Sequence, residues 1–153
     1  MGHLVSITVK PDGMEPPEGA YLRVSVDDAD LVEGYGVKGD MKGGAGRNLN
    51  ILCSEALQTL AVDGYLTQPG KIGEQLIIQG ISPELLVAGA MLGIGESARV
   101  KMTKPRTGCD KFERYQSKSR EGAAGRLGMM AEVVAGGQIR IGDQVRMLEP
   151  DTE

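Results

Sequence analysis

Apolar and polar residues alternate along much of this chain with a period of two, the spacing of a strand that buries one face. In AYLRVSV, Leu22, Val24 and Val26 fall on one side and Tyr21, Arg23 and Ser25 on the other. SARVKMT sets Ala98, Val100 and Met102 against Arg99, Lys101 and Thr103, and QIRIGDQVRML sets Ile139, Ile141, Val145 and Met147 against Arg140 and Arg146. LVSITVK, RNLNIL, EQLIIQGI and MMAEVVA read as further short strands, and glycine-bearing turns such as PDG, VDG, GIGE and AGGQ separate them. Many short strands joined by such turns predict a mainly β fold, a barrel or a sandwich. Helical signals are few: Ser54 caps EALQTLAV, Ser82 with Pro83 opens SPELLVAG, and CDKFERYQ reads as a third short helix. No linker interrupts the chain, so one domain over 1–153 is expected, with SKSREGAAGRLG (117–128) as its mobile loop.

Composition narrows the function classes. A domain of this length buries about 70% of the surface its unfolded chain exposes, so no disulfide staples are needed. With no Trp, one Phe and four Tyr, the core must rest on aliphatic residues and Met, and stacking on nucleic-acid bases is poorly supported. Two cysteines make no disulfide framework, and no leader-like apolar run precedes a cleavage site; a reducing, cytoplasmic setting is expected. No apolar stretch approaches the ~20 residues that cross a bilayer, so no membrane partner is expected. Gly2 and Ser6 fit a myristoylation pattern, but Ser6 falls inside a strand signal, which argues against lipidation.

Charge is distributed unevenly. Between Arg99 and Arg126 nine basic residues stand against three acidic ones, a net of +6 in a chain of net −4, which leaves −10 elsewhere. An acidic chain with one basic stretch is organised to receive a small anion rather than a nucleic-acid backbone. GYGVKG (34–39) has the G-x-G-x-x-G spacing of a dinucleotide loop, yet it follows an acidic stretch and opens no helix, so that reading fails. The lone histidine, His3, removes histidine-based zinc sites and Ser-His or Cys-His nucleophiles, and two cysteines are too few for a closed zinc site. Cys53 ends an apolar run and reads as a small buried hydrophobe. Cys109 lies among cations before a helix, where a thiol pKa falls; from chemistry alone it is either a working thiol or a bystander in a charged loop.

The run TKPRTGC, 103–109, resembles the T-x-P-R-x-x-C signature of MOSC domains, named for the C-terminal domain of molybdenum-cofactor sulfurases. GVKGD (36–40), RNLNIL (47–52), GEQLIIQGI (73–81), LGIGESARVKMT (92–103) and GMMAEVVAGGQIRIGDQV (128–145) are similar to further family segments and occur in the family's order, so the resemblance covers about 36–148. It departs at Met41-Lys42, where members often carry Arg-His, and at Gly73-Glu74-Gln75, where they carry Gly-Glu-Asn.

The resemblance implies a barrel of the pyruvate kinase barrel-domain kind. It also implies a sulfurtransferase-like role, with Cys109 carrying a persulfide or ligating molybdenum in the molybdenum cofactor (molybdopterin). On that reading Arg106 and Lys104 stabilise the thiolate and persulfide, and Arg99, Lys101, Lys111, Arg114 and Arg126 are candidates for the cofactor's phosphate. Asp40 and Arg47, with Gly36, are expected near Cys109 on the family pattern. No pyridoxal-phosphate module is evident in the chain, so a pyridoxal-phosphate-dependent cysteine desulfurase is the expected sulfur donor and a molybdoenzyme or molybdenum cofactor the acceptor. The alternatives are a non-enzymatic binder of molybdenum cofactor or molybdate, the cofactor-binding part of a reductase for N-hydroxylated compounds, and a domain that only mediates association.

Overall fold

The computed structural model describes residues 2–13, 22–44 and 48–149. Its strands are β1 (Gly2–Val9), β2 (Val24–Val26), β3 (Asp28–Val32), β4 (Gly36–Val37), β5 (Leu49–Cys53), β6 (Leu76–Gln79), β7 (Met91–Ile94), β8 (Ala98–Pro105), β9 (Met129–Ala135), β10 (Gly137–Arg140) and β11 (Gln144–Leu148); the α-helices are α1 (Ser54–Val62) and α2 (Asp110–Gln116). Pairing runs β11-β7-β8-β9-β5-β6-β1, and β1 returns to β11, which closes a seven-strand barrel with β2 as a branch on β1. β10, β3 and β4 form a small second sheet that adds Leu31, Val37 and Ile139 to the barrel core. Every pair is antiparallel except β5–β6, and α1 is the crossover that a parallel pair requires. Among the described residues no helix is long and apolar enough to cross a membrane.

The barrel interior is aliphatic, as the shortage of aromatic residues dictates: Leu4, Ile7, Leu49, Ile51, Leu76, Ile78, Leu92, Ile94, Val100 and Met102 are all fully buried. β8 keeps the expected alternation, with Ala98, Val100 and Met102 inward and Arg99, Lys101 and Thr103 outward. β5 is buried on both faces. Its outer residue Leu52 enters a second core with Leu57, Leu60, Tyr65, Ile72, Ile77, Phe112, Ala123 and Leu127. Phe112 is fully buried there and stacks on Tyr65 at 6.0 Å between ring centroids. Burial of such a side chain is worth about 1.5–3 kcal/mol, enough to pin the seven-residue α2 that could not persist alone.

Several local expectations are corrected. Ser82 begins only a single 3-10 turn, Pro83–Leu85, because the chain must turn back toward β7. The segment 117–128, expected as a mobile loop, carries local structure: it contains a 3-10 turn, Arg120–Ala123, buries Ala123 and Leu127, and is tied by Arg120 to Glu113 and by Arg126 to Asp63. In the 139–147 run the turn through Ile141–Asp143 resets the alternation, leaving Ile141 and Met147 substantially exposed while Ile139 and Val145 are buried. Around β2 the alternation holds at Ser25 and Val26 but fails at Arg23 and Val24. Val24 is 40% exposed, whereas the Arg23 side chain is only 4% exposed, because Arg23 reaches inward to a buried carboxylate.

Candidate functional site

One barrel rim gathers the end of β1, the starts of β5 and β6, and the end of β8. A chain of buried polar groups crosses it. Asp40, in the loop after β4, is fully buried and accepts hydrogen bonds from the Lys10 backbone N–H (2.8 Å), the Arg23 Nη2 (2.8 Å) and the Gln75 Nε2 (2.9 Å). Arg23 also donates from Nε to the Thr8 hydroxyl at 3.0 Å, and that hydroxyl donates to the Glu74 carbonyl at 2.6 Å. Gln75 Oε1 accepts from the Asn50 backbone N–H at 2.7 Å, while Asn50 Nδ2 donates to the carbonyls of Leu127 and Met129. Asn50 Oδ1 accepts from Arg106 Nη1 at 2.7 Å. Each amide therefore has one usable orientation, since a flipped Gln75 or Asn50 would set donors against donors.

Burial lowers the Arg23 pKa and the Asp40 charge partly offsets it, so this ion pair is held at a desolvation cost that its hydrogen bonds must repay. Glu74, next to Gln75, is buried as well. Desolvation raises its pKa against the lowering effect of the Gly70 and Ile72 backbone N–H groups that bond its carboxylate.

Above this network opens a cavity of about 370 Å³ lined by Arg23, Met41, Lys42, Gly43, Gly44, Asn50, Gly73, Gln75, Arg106, Cys109, Lys111 and Met130. Among the described residues no carboxylate and no histidine lines it. Cys109 is exposed on its wall. The segment carrying it is clamped at both ends. Arg106 N donates to the Gly128 carbonyl at 3.0 Å, and α2 is anchored by Phe112 and by the buried Gln116, whose Oε1 accepts from Leu66 N at 2.7 Å. Gly108 is required in this bend, because a Cβ there would meet Arg120 Cβ at 2.7 Å and the Phe112 ring at 3.3 Å. Lys111, two residues past the thiol, has its pKa lowered by burial and then by Lys42 and Lys10, while Cys109 acts on it in the raising direction. The second cysteine is unlike the first: Cys53 is buried in the barrel, and burial with the nearby Glu55 charge pushes its thiol up to about 12.

The MOSC domain model matches residues 38–146, a span that runs from the loop holding Asp40 through Cys109 to β11. The chain belongs to the MOSC domain family. Solved structures of the same fold include YiiM from Geobacillus stearothermophilus (20% identity, TM-score 0.75, 97% of this chain and 76% of that one). YiiM from Escherichia coli is similar too (19%, TM-score 0.72, 99% and 72%), as is the YuaD protein from Bacillus subtilis (15%, TM-score 0.75, 95% and 94%). No curated protein matches the chain at a significant level.

Of the residues expected at a MOSC site, the fold brings Cys109, Arg106 and Lys111 to the cavity and sets Asp40 beneath it as a buried anchor. Arg99, Lys101 and Lys104 do not line it, because strand alternation and the course of β8 leave them exposed on its outer side. Arg114 acts on Lys111 electrostatically but stays outside the lining, and Arg126 is committed to Asp63 at the C-terminal end of α1. Arg47 lies outside the described residues. Sequence reasoning missed Arg23, Asn50 and the Gly43–Gly44 turn as cavity walls. The signal for Lys42 and Gln75 was present, since both fall where the chain departs from the family pattern, and both departures face the cavity.

Proposed function

We propose that this MOSC protein is a sulfur carrier in which the Cys109 thiolate accepts a sulfane sulfur as a persulfide and passes it to a molybdenum cofactor or another metal-sulfur acceptor. The observation that carries this reading is an exposed thiol on the wall of a cavity lined by Arg23, Lys42, Arg106 and Lys111 and by no acid among the described residues. Cations stabilise both the attacking thiolate and the anionic persulfide.

The residues fit a molybdenum cofactor. The cavity volume lies within the range of about 300–1,000 Å³ common for small-ligand sites. No group of three or more His, Cys, Asp or Glu side chains among the described residues could hold a metal by itself, so the metal would bring its own sulfur ligands and Cys109 would add one soft donor. Arg106, held by Asn50 through Nη1, would supply a guanidinium contact to the phosphate, and Lys42 and Lys111 would add point charges. When bound, the cofactor supplies the metal-sulfur centre that receives the sulfur; the protein's own part is to bind, orient and hold the thiolate. A cytoplasmic cysteine desulfurase with pyridoxal phosphate is the proposed donor.

Incubation with such a desulfurase should add one sulfur to the Cys53→Ala variant and none to Cys109→Ala by intact-protein mass spectrometry. Equal labelling of the two variants would sink the proposal. The hydrogen-bonded Asn50–Gln75 wall also favours a second reading, a binder that retains the cofactor. Stoichiometric molybdenum and pterin in protein from a cofactor-competent host, with no transferable sulfur, would select it.

A further inference from the structure

We propose that the Cys109 cavity takes thiosulfate, a sulfane-sulfur oxyanion, as a direct sulfur donor, so that the protein can be charged without a desulfurase. This rests on the carrier reading above and adds a small-molecule donor as an alternative to the desulfurase. Three observations point to such an anion. Arg23 lines the cavity with its side chain 96% buried, its Nε and Nη2 are used by Thr8 and Asp40, and among the described residues its Nη1 makes no hydrogen bond. That leaves a guanidinium edge with donor capacity, on an otherwise buried side chain, open to the cavity it lines.

The second observation is the gathering of like charge. Lys42, Lys111 and Arg106 line the same space, Lys10 and Lys42 each act on Lys111 as repelling neighbours, and Arg106 acts likewise on Arg23. Asp40, a buried carboxylate bonded to the lining residues Arg23 and Gln75, is already bonded by three donors and does not reach the lining. In a chain of net charge −4, such a concentration of cations attracts a dianion and holds its oxygens.

The third observation selects the donor chemistry. Among the described residues no histidine or carboxylic acid lines the cavity to protonate a leaving group. Sulfite departs as a stable anion and needs no proton. The Cys109 Sγ attacks the outer sulfur of thiosulfate and an Sγ–S bond forms. The bond from that sulfur to the sulfonate sulfur breaks, and its electron pair leaves with sulfite. Cys109 becomes a persulfide, with no net oxidation and no co-reactant. Arg106, Lys42 and Lys111 stabilise the negative charge that builds on the departing sulfonate oxygens.

The test mixes the full chain with thiosulfate and follows sulfite release and intact mass. One equivalent of sulfite and one added sulfur, both absent in Cys109→Ala, are expected. Lys42→Gln, an exposed position whose melting temperature is checked alongside, should raise the half-saturating thiosulfate concentration about tenfold, the loss of roughly one charge-assisted contact. It should lower the ratio of the thiosulfate charging rate to the rate of Cys109 alkylation by neutral iodoacetamide by a similar factor. Charging no faster than that of a TGCDK peptide, or an unchanged half-saturation and ratio in Lys42→Gln, overturns the inference. If a desulfurase charges Cys109 while thiosulfate does not, this inference falls and the carrier reading stands; if neither charges it, both fall.

Discussion

Replacing Asp40 tests whether the site is built on one buried carboxylate. Its oxygens receive Lys10 N, Arg23 Nη2 and Gln75 Nε2 at 2.8, 2.8 and 2.9 Å, and both ion-pair side chains are almost wholly excluded from solvent. In Asp40→Ala the Arg23 guanidinium keeps only Thr8, and two further donors lose their acceptor. Removing one partner of a buried ion pair costs about 3–5 kcal/mol, a large share of the 5–15 kcal/mol by which domains of this size are stable. Asp40→Asn is the sharper probe. Its Oδ1 can still accept from Lys10 and Arg23, but its Nδ2 would face Gln75 Nε2, and Gln75 can escape only by withdrawing Oε1 from Asn50 N. That forced mismatch costs about 2–3 kcal/mol, the range for one buried donor left unmet plus a weakened charge contact. Urea unfolding followed by circular dichroism measures both, with the slope unchanged if only stability moves. An Asn variant within ~0.5 kcal/mol of wild type would refute the claim that these amides have a single usable orientation.

Other consequences follow from single residues. At pH 8 the native protein should react with iodoacetamide at Cys109 only, because a thiol at about 12 rather than 9.0 has its thiolate reduced about 1,000-fold; Cys53 should label once the chain is unfolded. The same shift fixes a sign. Above pH 9 the unfolded thiol releases its proton while the folded one keeps it, so wild type should lose stability relative to Cys53→Ala by up to about 1 kcal/mol per pH unit until the folded thiol titrates. Phe112→Ala, which empties the centre of the second core, should cost about 3–5 kcal/mol in thermal or urea unfolding. Gly108→Ala should displace Arg120 or the Phe112 ring, and slow charging of Cys109 by more than it lowers the melting temperature would be its signature.

What could be read in the chain follows from which forces act locally. β8 was legible because one face meets the barrel core and the other meets water, the situation that produces a period of two. β5 was legible only as an apolar run, since Leu52 turns outward into a second core whose other members, Phe112 and Leu127, lie far along the chain. Arg23 was misread for the same reason. An arginine in an alternating strand belongs outside unless a distant carboxylate repays its desolvation, and Asp40 supplies that from a loop beyond β4. Ala123 and Leu127 likewise hold down a glycine-rich stretch whose composition signals only freedom.

The basic segment shows how such misreadings bear on function. The charge count located the right region but could not divide it, because charge is indifferent to the direction in which a side chain points. Pairing settles the division. Lys101 lies opposite Met91 and Glu132 within the sheet, so β8 spends its early cations on the barrel's outer surface. Only after Pro105 does the chain leave the ladder and turn Arg106, Cys109 and Lys111 into the cavity. Their effective partners come from elsewhere: Lys42 and Gly43 from the loop after β4, Arg23 from the approach to β2, Asn50 from β5 and Gln75 from the residue just before its parallel partner β6. The thiol's environment is thus a property of the barrel rim. A peptide carrying the signature alone would lack the Asn50 amide that holds Arg106 and the Lys42 charge beside Lys111, and it should show the reactivity of an ordinary cysteine.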